Sequence, residues 1–177
     1  KIRPNQAWAV TVPLGSTNPL VTVEDQKRIV DTMREHLVFN WGVASLSHRD
    51  ADFHPYHQTH QYPKDAAYHM GIVWTWLSGP FKSASKSGWG IAENEIHQLL
   101  DRGVPGTMSE NLDAIPRAAA TQPNLSGTVS QTWSLAEFLR TTYQDYLGIR
   151  PVYDEPGHWS FDPAIPYEMG NVDAVLW

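Results

Sequence analysis

The chain has 177 residues and a net charge of −6, and only 18% of it is charged. That length predicts one domain with one sizeable core, and the thinly spread Lys and Arg form no basic stripe, which excludes nucleic acid as a partner. Without any cysteine there is no disulfide framework and no Cys-ligated zinc; with no signal-peptide pattern and no apolar run near about 18 residues, a soluble cytoplasmic protein with no membrane partner is expected.

Pro4 is placed as a first-turn residue, and Ala7, Trp8 and Val10 follow it before Pro13 stops the helix, so KIRPNQAWAVTVP reads as one short helix. Thr22 then precedes Val23, Glu24 and Asp25 in a capping-box-like start. Val30, Met33 and Leu37 share a face at helical spacing, which predicts a helix over 23–38. In WGVASLS, at 41–47, alternation predicts a short strand or extended turn. Residues 48–63 are polar, aromatic and interrupted by prolines, and connections of that length in compact domains are usually functional.

Tyr68, Ile72, Val73, Trp76 and Leu77 fall on one helical surface, which predicts a helix ending before Gly79 and Pro80. Gly71 inside it would cost about 1 kcal/mol relative to alanine, so a close approach is expected there. A further helix over 91–102 points Ala92, Ile96, Leu99 and Leu100 inward and stops at Gly103. Gly103 to Gln131 reads as an irregular connection with at most one helical turn. Ala136, Leu139, Tyr143, Tyr146 and Leu147 then define a last helix ending at Gly148 and Pro151. Residues 151–177 hold five aromatic residues and four prolines without a helical period, and are expected to wrap the outside or form short strands. The sum is five helices with alternately short and long connections, the pattern of antiparallel helix pairs with functional loops at one end.

The chain carries 8 Trp, 7 Tyr, 5 Phe and 8 His. Such a mixture suits carbohydrate, because a pyranose offers apolar C–H faces to aromatic rings and hydroxyls to donors and acceptors; the same rings also fill cores, where Trp and Tyr bury large areas. His54, His57 and His60 recur at every third residue, but Pro55 and Pro63 break the helical geometry that a His-based metal motif uses, so a loop lining a sugar cleft is expected instead. No phosphate-cradling glycine loop, G-x-S-x-G or dinucleotide fingerprint is present. Neither a metal nor any other cofactor is expected.

Four stations in order, RPNQAWAVTVP at 3–13, GVASLS at 42–47, YHMGIVWTWLSGPF at 68–81, and MSENLDAIPR with SQTWSLAEFLR at 108–140, resemble the glycogen debranching enzymes of the amylo-α-1,6-glucosidase type. The resemblance implies an all-α fold, the C-terminal portion of an (α/α)6 toroid, over residues 1–150, with 151–177 as an irregular tail packed on it. It also implies inverting hydrolysis of α-1,6 branch residues in a glycogen-like glucan by two carboxylates. Trehalase-like and α-glucosidase-like enzymes share the toroid. An isolated carbohydrate-binding or assembly module is the alternative outside enzymes.

By this resemblance Glu110, in the S-E segment, is the catalytic base, and a solvated or capping glutamate is its structural alternative. His69, Trp74 and Trp76 are expected against the sugar; helical spacing puts His69 and Trp76 on one face and Trp74 on another. Gln131 and Trp133 open the last helix where its end could meet a hydroxyl. Arg3 and Asn5 orient the pocket or brace the first helix. Glu137, three residues after Ser134, fits a capping box rather than catalysis. The family's general acid, an Asp upstream of R-P-N, has no counterpart before Lys1, so an upstream half of the domain is the expected partner. Apolar faces around Ile29, Met33 and Trp8 are expected to drive self-association or pairing with that half.

Overall fold

Thr22 caps its helix as its sequence position requires: its hydroxyl accepts the backbone N–H of Asp25 at 3.1 Å, and α2 runs Val23–His36 with Val30 and Met33 buried. The computed structural model describes residues 1–12, 20–86, 89–152 and 154–167. Before α2, Pro4 starts a 3₁₀ turn, Pro4–Ala7, which runs into α1, Trp8–Thr11. Pro13, read as the stop of this opening helix, lies outside the described residues. The sequence expectation that Met33 lies with Ile29 on an exposed apolar face does not hold. It is fully buried, and only Ile29 of that pair sits at the margin of the core.

After α2 the chain turns at Leu37 into a two-stranded hairpin, β1 Val38–Phe39 and β2 Gly42–Val43, and Ala44 then bridges to Val73. The expected strand within 41–47 is therefore present. Residues 48–63 contain no helix or strand, and α3, Lys64–Tyr68, follows them.

The helix read over 68–77 is not formed. Gly71 stands at φ +145°, and a Cβ there would lie 2.7 Å from the His54 carbonyl oxygen. The close approach is present, but it breaks the helix instead of sitting inside one. The β-branched pair Ile72–Val73 then favours extended backbone, giving β3 Val73–Trp74 and a 3₁₀ turn, Thr75–Leu77. α4, Ser78–Ser85, begins where the sequence reading ended a helix, with Pro80 in its first turn, where its missing N–H costs nothing.

α5, Trp89–His97, continues into a π-helical turn, Gln98–Arg102. Its inward face is Ile91, Ala92, Glu95 and Gln98, while Leu100, expected inside, is 65% exposed. Two of the four inward residues are polar: Glu95 is buried because Lys82 meets its Oε2 at 2.6 Å and the Ser78 hydroxyl donates to its Oε1.

β4, Asn111–Leu112, pairs antiparallel with β3 on one side and with β5, Leu125–Ser126, on the other. α6, Thr132–Thr141, runs into a second π-helical turn, Thr142–Tyr146. It starts too early for a capping box at Ser134, which is buried inside it; Glu137 pairs with Arg140 and fills the space over Gly79. β6, Ile149–Pro151, and β7, Trp159–Phe161, form a hairpin with an exposed apolar face.

The main core joins Ala7, Met33 and Leu37 to Ile72, Leu77 and Phe81, and a smaller one lies under the three-stranded sheet around Val73, Leu112 and Ala114. The architecture is helical, with six α-helices and small sheets among the described residues, consistent with the expected portion of a six-hairpin toroid. Among the described residues, no helix is long and apolar enough to cross a membrane.

Candidate active site

Glu110 directly precedes the central strand β4 and is 8% exposed. Its backbone is pinned on both sides, donating to the Thr128 carbonyl at 2.9 Å and accepting from the Thr75 N–H at 3.1 Å. The carboxylate is held as firmly. The Tyr68 hydroxyl donates to Oε1, and Thr128 donates to Oε2 through its N–H at 2.9 Å and its hydroxyl at 3.2 Å. Burial alone would push the Glu110 carboxyl up, but these three donors and the nearby His57 outweigh it and hold it below the ordinary carboxylate range. The same bond, with burial, pushes the Tyr68 phenol up to about 12.

Gly127 makes this grip possible. It stands at φ +73°, and a Cβ there would lie 2.6 Å from Glu110 Oε2 and 2.7 Å from Asn111 Oδ1. Only glycine lets the β5 side close over the carboxylate while Thr128 reaches it.

Aromatic rings surround and extend from Tyr68. It meets His57 at 5.5 Å, His69 at 4.9 Å and Trp74 at 4.6 Å between centroids. His69 lies flat on Trp74, 5.1 Å away with 5° between planes. Beyond them Trp133 contacts both Trp74 and Trp76, and Trp76 stacks on Trp8. The expected face-sharing of His69 with Trp76 is thus replaced by stacking on Trp74, because the segment between them is not helical. Trp74 is 6% exposed and gives its indole N–H to the Tyr68 carbonyl at 2.6 Å, whereas Trp133 is 50% exposed.

Arg3 lies outside the carboxylate's contacts and acts as a brace: its guanidinium donates to the carbonyls of Ser45, at 3.0 Å, and His69. Asn5 is exposed on the opening turn. Gln131 is the N-cap of α6 through its backbone carbonyl, and its side chain makes no capping bond.

Tyr68, Gly127 and Thr128 are not among the site residues expected from the sequence, and His57 is expected only as part of a loop lining the cleft. His57 is buried in the long loop; Asp113 Oδ1 accepts its N–H at 2.8 Å, and its Nδ1 lies 3.0 Å from the Ser126 hydroxyl. Burial, then the charge of Lys64, lowers its affinity for a proton despite Glu110 and Asp113, which favours a neutral ring. The three loop histidines do not converge: His54 packs edge-on against Tyr62, His57 faces Tyr68, and His60 is exposed.

An ionised, oriented carboxylate beside partly exposed aromatic faces can deprotonate a water held against a sugar. No curated protein sequence matches the chain. The family model for amylo-alpha-1,6-glucosidase matches residues 1–140, the stretch that contains the carboxylate and every ring of the cluster. The chain therefore belongs to the amylo-alpha-1,6-glucosidase family of glycoside hydrolases.

Proposed function

We propose that this chain supplies the general base, Glu110, for inverting hydrolysis of α-1,6-linked branch glucosyl residues in a glycogen-like glucan. The observation that carries the reading is the way the carboxylate is bound. A carboxylate accepts about four hydrogen bonds, and Tyr68 and Thr128 provide three donors, leaving one acceptor position on Oε1 for the attacking water. The two Thr128 bonds fix the plane of the group, so that this last position has a defined direction.

The chemistry needs a base that stays ionised while a second carboxyl stays protonated, with about 6.5–9.5 Å between them. The depressed proton affinity of Glu110 suits the first role. An upstream segment of the catalytic domain supplies the acid, on this reading, and the isolated chain is inactive. As the water approaches the anomeric carbon, Glu110 takes its proton, and the acid on the opposite face protonates the departing oxygen. His69 and Trp133 present ring surface to the sugar, while buried Trp74 backs His69.

The stereochemistry of the product tests this mechanism. Proton NMR of the first glucose released by the full-length enzyme from an α-1,6-branched dextrin should show the β anomer. The α anomer would mean retention and a covalent intermediate, and would remove Glu110 from the base role.

A further inference from the structure

Ser109, the residue before Glu110, is buried, and each of its polar groups is engaged. Its N–H donates to Oε1 of Gln98 at 3.3 Å, and its hydroxyl lies 3.1 Å from the same oxygen and 3.0 Å from the Asn111 carbonyl. Its carbonyl accepts, at 3.5 Å, from the Ser134 hydroxyl inside α6. The peptide that leads into the carboxylate residue is therefore held from two helical elements as well as from the sheet.

Gln98 opens the π-helical turn Gln98–Arg102 that continues α5, and it is 1% exposed; such turns are rare and recur at functional sites. A backbone N–H only donates, so the atom of the Gln98 amide that faces Ser109 is its oxygen. The other half, Nε2, is buried and has no hydrogen-bond partner. Burying an unpaired amide N–H lowers stability in a way that methionine or leucine at this place would not. The glutamine adds one thing that an apolar residue cannot, the acceptor for Ser109.

We propose that Gln98 is a positioning residue, which fixes through Ser109 the direction in which Glu110 presents its carboxylate. The Glu110 N–H donates to the Thr128 carbonyl at 2.9 Å, and Thr128 also grips Oε2 through its own N–H and hydroxyl. The Ser109–Glu110 peptide and Thr128 are thus two fixed points, and the carboxylate is held between them. Without the Gln98 oxygen, the Ser109 N–H and hydroxyl lose an acceptor, the peptide is free to turn, and Oε2 no longer meets both Thr128 donors squarely. The consequence for turnover rests on Glu110 being the base; the consequence for the carboxylate does not.

Carbon-detected NMR of the 177-residue chain, with the Glu110 carboxyl identified by its loss in Glu110→Gln, follows the titration of that group. Gln98→Met should move it to higher pH, because the donors that favour the ionised form fit less well. Ser109→Ala, which keeps the N–H and is the milder change, should move it the same way by less, and it decides the matter should Gln98→Met not fold. Met33→Ala, in the main core on α2, lowers stability without touching Ser109 and should leave the titration at its wild-type place. In the full-length enzyme, Gln98→Met should lower kcat for a branched dextrin about tenfold or more with KM within about twofold, and by less in a Ser109→Ala background. An unchanged Glu110 titration in Gln98→Met and Ser109→Ala, or an equal shift in Met33→Ala, would overturn the assignment. A shifted titration with wild-type kcat would leave Gln98 as the positioning residue and remove Glu110 from the base role.

Discussion

The Tyr68 hydroxyl donates to Oε1 of Glu110 across 42 residues of sequence, from the end of α3 to the edge of β4. Against the upward push of burial, this bond is one of the contacts, with those from Thr128, that hold the carboxyl below its ordinary range, and it ties the ring cluster to the carboxylate.

Tyr68→Phe removes a donor that favours the ionised form, so the Glu110 carboxyl should titrate at a higher pH and the acidic limb of the kcat/KM profile should move upward with it. Stability follows the same sign. A carboxyl with a depressed folded-state value contributes stability above its unfolded value, 4.5, and loses it as pH falls through the lower folded value. The wild type should therefore lose more stability on acidification than Tyr68→Phe, measured by urea unfolding. At the alkaline end the raised phenol contributes stability below pH 10 that is lost as pH rises towards about 12, and the variant should lack that loss.

Gly127→Ala adds a methyl where φ is +73° and Glu110 Oε2 is 2.6 Å away. The cost should be on the order of 1–3 kcal/mol in thermal unfolding, with turnover reduced because the carboxylate must move. An unchanged melting temperature would show that the β5 side is not closed on Glu110.

The Lys82–Glu95 pair is almost fully buried, 1% and 2% exposed, and joins α4 to α5. Lys82→Met should destabilise the chain by about 3–5 kcal/mol, because it leaves a buried carboxylate without its cation. Adding Glu95→Leu should recover most of that loss in denaturant titrations. A double variant as unstable as the single one would show that the pair does more than neutralise itself.

How far the sequence reveals this arrangement depends on the range of the forces involved. α2 is legible because the Thr22 cap and the Val30, Met33 and Leu37 face are local signals. The 68–77 segment has equally good helical spacing, but Gly71 packs against the backbone at His54, and that long-range contact overrides the period. The apolar spacing of Ala92, Ile96, Leu99 and Leu100 turns Leu100 inward in the sequence, whereas Glu95 takes an inward place because Lys82 and Ser78, on another helix, meet its carboxylate. Glu110 could be picked out by its motif. Its partners Tyr68 and Thr128, 42 and 18 residues away, carry no periodic signal that would join them to it.

Trp74 and Trp133 should separate core packing from glucan binding. Trp74→Ala empties a buried site and should cost about 3–5 kcal/mol of stability. Trp133→Ala, on a half-exposed ring, should leave unfolding nearly unchanged while weakening binding of a branched dextrin, measured by calorimetry. The reverse pattern would place the sugar elsewhere.

Glu110→Gln in the full-length enzyme is the most direct measurement of all, since it keeps the shape of the side chain while removing the basic oxygen. If Glu110 is the base, turnover of a branched dextrin should fall by about 100-fold or more, with dextrin affinity and melting temperature close to wild type. Turnover equal to wild type in a folded, dextrin-binding variant would contradict the assignment.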